Sequence, residues 1–294
     1  MIIPFLQLIR FPNVFTAMSN VAVGYAVLVQ FGKVEPQWLD LGLAGLGAMM
    51  LYGFGMALND IADSNVDREL HPERPIPSGR LTLKNAKIAA WSLLAGGILL
   101  LGVASPALIL VAILLAIAIG LYDVILKSTP IPASVAMGTC RALCVLLGTV
   151  LAATHADDPE VLLRWTTAQL PLVYLLLITL VTAISNFEEA EPGQADFKPL
   201  VIVLALAFAT PVLVPGDDRI LALVLAVILM AVVLRPGFGP KPIAGLVVRN
   251  VIFALPLFDA LWCLALGQLA FAMISATCFV LVRVSARALS QNSA

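Results

Sequence analysis

Three aspartates follow a long apolar run at a regular spacing. Asp60, Asp63 and Asp67 fall at positions i, i+3 and i+7, directly after the apolar run 41–58. A continuous helix would place the three carboxylates on one face. Like charges at a membrane boundary repel each other and are poorly solvated, and a divalent cation reverses that cost. Because Mg²⁺ held by a few carboxylates takes further ligands from substrate phosphates, the pattern predicts a site for a phosphorylated compound at the membrane surface.

The composition excludes a water-soluble protein. Apolar residues make up 61% of the chain and charged residues 12%, and the mean hydropathy is +1.02. Soluble domains carry about 25% charged residues. The apolar runs repeat along the whole length, so the sequence predicts one polytopic, all-α membrane domain over residues 1–294. A net charge of −1 argues against nucleic acid as a partner.

Apolar runs bounded by proline, glycine and charge predict the membrane spans. Eight candidate spans lie near 14–31, 41–58, 86–104, 106–122, 133–153, 166–184, 198–214 and 219–234. The last apolar stretch, 243–284, is too long for one span and could be two short ones. Arg249 and Asp259 interrupt it, so its first part is also compatible with a partly interfacial helix. Nine and ten spans both fit the sequence.

Basic residues concentrate in the loops that follow even-numbered spans. These loops carry Arg68, Arg74, Arg80, Lys84, Lys87, Lys127, Lys198, Arg235 and Lys241. The positive-inside rule places them, and the Asp-rich segment with them, in the cytoplasm. Arg283 and Arg287 agree only if the last stretch crosses twice. The expected location is the inner or plasma membrane of a bacterium, or a plastid membrane.

A second acidic segment follows the sixth span on the same side. Asn186 and Glu189 share a helix face with Thr182, and Glu188 lies beside them. Two interpretations remain open: a second acidic half of one cavity, or a solvated loop, as charge runs usually are.

Basic residues near these segments could bind phosphate. Lys127 follows the fourth span, and Arg74 lies in the loop after the first acidic segment. Arg141 lies about two turns into the fifth span, where an unpaired charge is costly. It is therefore either a functional group or half of a structural ion pair. Asp259 is the candidate partner of Arg249.

The acidic segment resembles a known signature. Residues 59–67 and 74–79 match the NDxxDxxxD…RPxPSG pattern of the UbiA superfamily of membrane prenyltransferases. Residues 10–13, Arg-Phe-Pro-Asn, and the segment from Tyr122 to Lys127 are also similar to family elements.

The resemblance implies a bundle of about nine transmembrane helices around a central cavity open to the bilayer. Acidic motifs would bind Mg²⁺ and, through it, an isoprenyl diphosphate. Ionisation would leave an allylic cation, which an unidentified acceptor, for instance an aromatic compound, then attacks. The candidate residues are Asp60, Asp63, Asp67 and Lys127 for catalysis; Asn13, Asn59, Arg74, Tyr122, Arg141 and Asn186 for substrate binding; and Asp60, Asp63, Asp67, Glu188 and Glu189 for Mg²⁺.

Some positions depart from the family pattern. The second motif often reads DxEDxxGD, whereas Asn186, Glu188 and Glu189 stand here, followed by Pro192. Ser128 replaces the arginine that commonly follows the lysine. These changes suggest a divergent member with an unusual acceptor or weakened activity.

Two other functions remain open. A terpene cyclase on the same scaffold would quench the cation internally. A non-enzymatic carrier or scaffold for a lipid or phosphorylated metabolite would need no ionisation. Transporters tend to place charged and broken-helix elements near the membrane midplane. Here the acidic residues lie at the ends of predicted spans, which favours an enzyme.

Overall fold

The computed structural model describes residues 2–190, 198–208, 210, 219–237 and 244–291, and within these ranges it contains helices and turns without strands. The α-helices are α1 Ile2–Leu8, α2 Phe11–Gly32, α3 Trp38–Ala62, α4 Asp67–Leu70, α5 Leu83–Ala104, α6 Leu108–Leu121, α7 Pro130–Ala153, α8 Trp165–Ala190, α9 Lys198–Phe208, α10 Arg219–Leu234, α11 Ala244–Ala265 and α12 Leu269–Gln291. A π-helical turn, Tyr122–Leu126, continues α6, and Pro159–Leu163 and Arg235–Gly237 form short 3₁₀ turns.

Nine helices of the described residues are long and apolar enough to cross a membrane. The predicted all-α, multi-pass architecture is therefore confirmed. The short helix α9 covers the start of the predicted span 198–214, and most of the remainder of that span lies outside the described residues.

The last apolar stretch, 243–284, forms two helices. This confirms the expectation that it is too long for one span and is divided in two. Gly267, at φ 70°, turns the chain between α11 and α12. Gln268 then donates a hydrogen bond to Gln30, 3.1 Å away, at the end of α2. The alternative of a partly interfacial first part stays a prediction, although α11 is a 22-residue helix long and apolar enough to cross a membrane. It packs buried side chains such as Val251 and Phe258 into the core.

Helix α2 lies at the centre of the bundle. It packs against α3 and α7 and also against the last two helices, α11 and α12. The contact with α7 is close because glycines face it from both sides. A Cβ on Gly24 would overlap the carbonyl oxygen of Val145, and one on Gly148 would overlap that of Val21. This close approach brings the polar residues of the two helices together.

The helices alternate in direction, which defines two ends of the bundle. The start of α2 lies beside the end of α3, since Arg10 and Asp60 are 3.7 Å apart. At the other end, the backbone N–H of Gln37 donates to the Tyr25 hydroxyl, 3.1 Å away, and His155 lies 3.3 Å from Asp40. We call the first of these the site end and the second the opposite end.

Candidate active site

The Asp-rich segment bends at the end of α3. The helix stops one residue before Asp63, whose backbone N–H still donates to the carbonyl of Asn59 at 2.9 Å. Turns follow at Ser64 and Asn65, and Asp67 begins the separate helix α4. The prediction of one continuous helix is wrong here, because Asp, Ser and Asn side chains compete with helical hydrogen bonds and favour turns.

Arginine side chains form ion pairs with two of the three carboxylates, those of Asp60 and Asp67. Nη1 of Arg74 lies 2.6 Å from Oδ2 of Asp67 and 3.8 Å from Oδ1 of Asp60. Nη2 of Arg10 approaches the same Asp60 oxygen at 3.7 Å. Asp60 and Asp67 are both buried, so these guanidinium groups compensate charges that water reaches poorly.

The proline- and glycine-containing loop positions Arg74. Its carbonyl accepts from the N–H of Ser78 at 3.0 Å, and the N–H of Leu81 donates to the carbonyl of Pro75 at 2.9 Å. Gly79 has φ 75°, a conformation that glycine adopts without steric cost. Arg10 has φ 48°, which is uncommon for a residue with a side chain and often marks a functional position.

The π-helical turn after α6 brings in further charged groups. Lys127, directly after the turn, forms an ion pair with Asp63. Asp123, inside it, is buried and accepts a hydrogen bond from Nδ2 of Asn59 at 3.0 Å. Sequence reasoning missed Asp123 as a site residue. The available signal was a carboxylate at the end of an otherwise apolar run.

The residues present fit a divalent cation. Oδ1 of Asp60 is buried and lacks a hydrogen-bond partner among the described residues, which leaves a hard oxygen ligand available. Asp63 and Asp67 supply further carboxylates nearby. Within the described ranges no three acidic, histidine or cysteine side chains form a preformed metal cage. Mg²⁺ would therefore compete with Arg74 and Lys127 for these oxygens.

A cavity of about 260 Å³ extends from this cluster into the bundle. Arg10, Asn13, Tyr122 and Asp123 line its part near the site end, and most of the remaining wall is apolar. Oδ1 of Asn13 is buried and makes no hydrogen bond with the described residues. The structure thus brings the predicted residues Asn13 and Tyr122 to one cavity, with Arg10 as an addition that sequence reasoning did not rank as a site residue.

Arg141 lines the deeper part of the cavity. Its Nη1 donates to Oγ1 of Thr16 at 2.9 Å and to Oδ1 of Asn20 at 3.1 Å, both on α2. The guanidinium carbon lies 4.8 Å from the centre of the Tyr52 ring, a favourable cation–π contact. No carboxylate of the described residues is within ion-pair distance, so the alternative of a direct structural ion pair is wrong.

Asp259 is fully buried and bonds to α2. It accepts hydrogen bonds from the Ser19 hydroxyl and from Nδ2 of Asn20, the latter at 3.1 Å. The suggested pairing with Arg249 is wrong: Arg249 is exposed and lies ten residues away on the same helix, whereas helical neighbours are three or four residues apart.

The second acidic segment is only partly described. Asn186 donates to the carbonyl of Pro130 at 3.0 Å and to the Ser134 hydroxyl at 3.1 Å, at the start of α7. It therefore ties α8 to α7 and is not part of the cavity wall. The side chains of Glu188 and Glu189 lie outside the described residues, so their role as Mg²⁺ ligands stays a prediction.

Fold and cavity define a polytopic helical membrane protein with an internal cavity that has charged residues near the site end and a mostly apolar wall elsewhere. The UbiA prenyltransferase family profile matches residues 17–270, and the chain belongs to this family.

The chain is similar to curated archaeal proteins. It is 33% identical over 177 residues to the digeranylgeranylglyceryl phosphate synthase of Metallosphaera sedula, covering 60% of this chain and 59% of the relative. It is 30% identical over 208 residues to the synthase of the same name from Ignicoccus hospitalis, covering 70% and 65%. The matched regions thus span less than two thirds of these relatives' own length.

Solved structures share the fold. A UbiA homologue from Archaeoglobus fulgidus bound to DMAPP and Mg²⁺ has a TM-score of 0.63 at 16% identity, covering 90% of this chain and 99% of the other. An apo UbiA homologue from Aeropyrum pernix K1 has a TM-score of 0.64 at 17% identity, covering 91% and 96%. At these identities the likeness establishes the fold.

Proposed function

We propose that the protein transfers an isoprenyl group from an isoprenyl diphosphate to an acceptor inside the membrane, with Mg²⁺ as cofactor. The observation that carries the proposal is the charged cluster at the site end, where Asp60, Asp63 and Asp67 pair with Arg10, Arg74 and Lys127. Arg10 connects this cluster to the cavity, because it also lines the cavity wall. A cluster that contains both negative and positive side chains suits the joint binding of a metal cation and a diphosphate. The carboxylates hold the cation, and the basic groups hold phosphate oxygens.

Residues of the protein would bind the isoprenyl diphosphate and stabilise the charges that develop when it ionises. Arg74 and Lys127 would exchange their aspartate partners for phosphate oxygens and stabilise the charge that develops on the leaving diphosphate. The apolar cavity wall keeps water from the allylic group. Tyr122 lines the cavity near the site end, and an aromatic ring at that position would stabilise a carbocation.

Mg²⁺ fits the donor set of this site. Asp60, whose buried Oδ1 accepts no hydrogen bond from the described residues, would hold the ion together with Asp63 and Asp67, and the ion would supply Lewis-acid stabilisation of the leaving diphosphate. The A. fulgidus homologue, which shares the fold and is bound to DMAPP and Mg²⁺, supports Mg²⁺ as the cofactor.

For the acceptor we propose a glyceryl phosphate that carries one isoprenyl chain and offers a free hydroxyl. The similar archaeal proteins are named for a glyceryl phosphate with two geranylgeranyl groups, which supports a phosphorylated glyceryl acceptor over the aromatic one expected from sequence. Arg141, in the deeper part of the cavity, suits an anionic head group. The length of the isoprenyl group on the donor is determined by the assay with diphosphates of graded length.

The site end would face the cytoplasm. Because α12 begins beside the end of α2, its last turns, with Arg283 and Arg287, lie toward the site end, as do Arg74, Arg80 and Lys127. The positive-inside rule then places the isoprenyl diphosphate site on the cytoplasmic side.

A direct assay tests the function. Purified protein with Mg²⁺ is offered isoprenyl diphosphates of graded length, with and without an isoprenyl glyceryl phosphate, and pyrophosphate and lipid products are measured. We expect pyrophosphate release that needs both Mg²⁺ and the acceptor, and its loss in Asp60→Asn. Release without an acceptor, together with a cyclic hydrocarbon, would establish a terpene cyclase. Binding without release would establish a carrier or scaffold.

A further inference from the structure

The cavity contains a cation well away from the acidic cluster. Tyr52, which stacks on Arg141, lies eight residues before Asp60 on α3. At 1.5 Å per residue the Cα atoms of Tyr52 and Asp60 are about 12 Å apart along the axis of α3, so Arg141 lies deeper in the bundle than the acidic cluster. A diphosphate held at the acidic cluster and a second anion at Arg141 would thus occupy different parts of the cavity.

A buried relay fixes the orientation of Arg141. The Asn20 amide accepts from Nη1 of Arg141 through its oxygen and donates to Asp259 through its nitrogen. Asn20 and Asp259 are fully buried, and both bonds join different helices. Asp259 thus fixes the Asn20 amide with its oxygen toward Arg141, while no carboxylate of the described residues pairs with the guanidinium directly.

Arg141 retains unused donors. The two hydrogen bonds of Nη1 account for both of its hydrogens, and a guanidinium has five N–H donors. The donors on Nε and Nη2 make no hydrogen bond with the described residues, although the residue is only 7% exposed and lines the cavity. Nε and Nη2 form a fork that matches two oxygens of a phosphate or carboxylate.

From this geometry we infer that Arg141 is the head-group site for an anionic acceptor, and that Asn20 and Asp259 are its positioning residues. The inference rests on the proposed transferase function and deepens it, because it separates a donor site at the acidic cluster from an acceptor site at Arg141. The ligand class is a phosphate monoester on a lipid. An unpaired guanidinium would repel the developing allylic cation, because both carry positive charge. A guanidinium that binds the acceptor's phosphate is instead paired with a negative charge.

Steady-state kinetics with two acceptors test the site. The probes are an isoprenyl glyceryl phosphate and its uncharged counterpart, in which a methoxy group replaces the phosphate. In Arg141→Met we expect the KM for the phosphorylated acceptor to rise roughly 10- to 100-fold. The KM for the isoprenyl diphosphate should stay within a factor of about three, and the preference for the phosphorylated over the uncharged acceptor should disappear. Arg141→Lys, which keeps the charge but loses the fork, should give an intermediate KM. Arg249→Met, an exposed arginine outside the cavity, is the matched control and should behave as wild type.

The relay has a separate test. Asp259→Asn should raise the KM for the phosphorylated acceptor with little change in kcat, and should add nothing in the Arg141→Met background. A merely structural role for Asp259 would lower the melting temperature and affect both substrates in both backgrounds.

Two outcomes overturn the inference: an unchanged acceptor KM in Arg141→Met, or a rise confined to the KM of the isoprenyl diphosphate. Failure of the proposed function is distinguishable, because wild-type protein would then transfer nothing. In that event, binding of the two probes to wild type and Arg141→Met, measured by calorimetry without Mg²⁺ or diphosphate, still decides whether Arg141 recognises the phosphate.

Discussion

Lys127 forms an ion pair with Asp63 although the two residues are 64 positions apart in the chain. The pair joins the end of α3 to the π-helical turn after α6, and both side chains are partly accessible. An accessible lysine held by a carboxylate beside the cavity can exchange that carboxylate for a phosphate oxygen.

Lys127→Met should therefore weaken donor binding. Loss of one charge-assisted hydrogen bond predicts a KM for the isoprenyl diphosphate higher by about 10- to 100-fold. Lys84→Met, which removes an exposed lysine at the start of α5, is the control. Equal kinetics of the Lys127 and Lys84 variants would exclude Lys127 from the donor site.

The second acidic segment should matter less than the first. Glu188→Gln and Glu189→Gln should reduce turnover, but by less than Asp63→Asn, because removing one of two nearby carboxylates relieves repulsion while weakening the cation. Mg²⁺ titrations of the three variants measure this. A larger shift in either glutamine variant would make the second segment the principal metal site. Unchanged Mg²⁺ requirements would indicate that the two glutamates bind no metal.

The orientation is testable by cysteine labelling. In a background with the four native cysteines replaced, Glu73→Cys reports on the site end and Glu160→Cys on the opposite end, since both positions are exposed. A membrane-impermeant maleimide applied to intact cells should label position 160 and spare position 73 until the cells are permeabilised. The reverse pattern would contradict a cytoplasmic donor site.

The close contact of α2 and α7 should be sensitive to a single methyl group. Gly148→Ala would place a Cβ against the carbonyl oxygen of Val21, and such overpacking costs about 1–3 kcal/mol or more. Gly42→Ala on α3 is the matched control, because no atom outside its own helix lies within 4 Å of an added Cβ. Thermal unfolding in detergent should show a lower melting temperature for the Gly148 variant only.

Hydropathy and motif spacing were sufficient to predict the fold class, most spans and the acidic cluster. Each of those features depends on residues close together in the chain. The relay of Asn20, Arg141 and Asp259 could not be predicted, because it joins positions 239 and 121 residues apart. Span order does not determine which helices become neighbours, so Asp259 was assigned to nearby Arg249 instead. The bend at Asp63 was missed because periodicity alone ignores the turn preference of Ser64 and Asn65.

The buried position of Asp259 also has a consequence for how the protein is made. An aspartate at the centre of a membrane helix raises the cost of insertion by about 2.5–3.5 kcal/mol, and Asp259, past the middle of α11, adds up to that amount. Its hydrogen-bonding partners, Ser19 and Asn20, are synthesised some 240 residues earlier. Stable integration of α11 thus depends on α2 being already inserted in the bilayer, where Ser19 and Asn20 donate hydrogen bonds to the Asp259 carboxylate. In a truncated chain that lacks α2, we expect α11 to insert less stably and to be degraded by the quality-control proteases of the membrane.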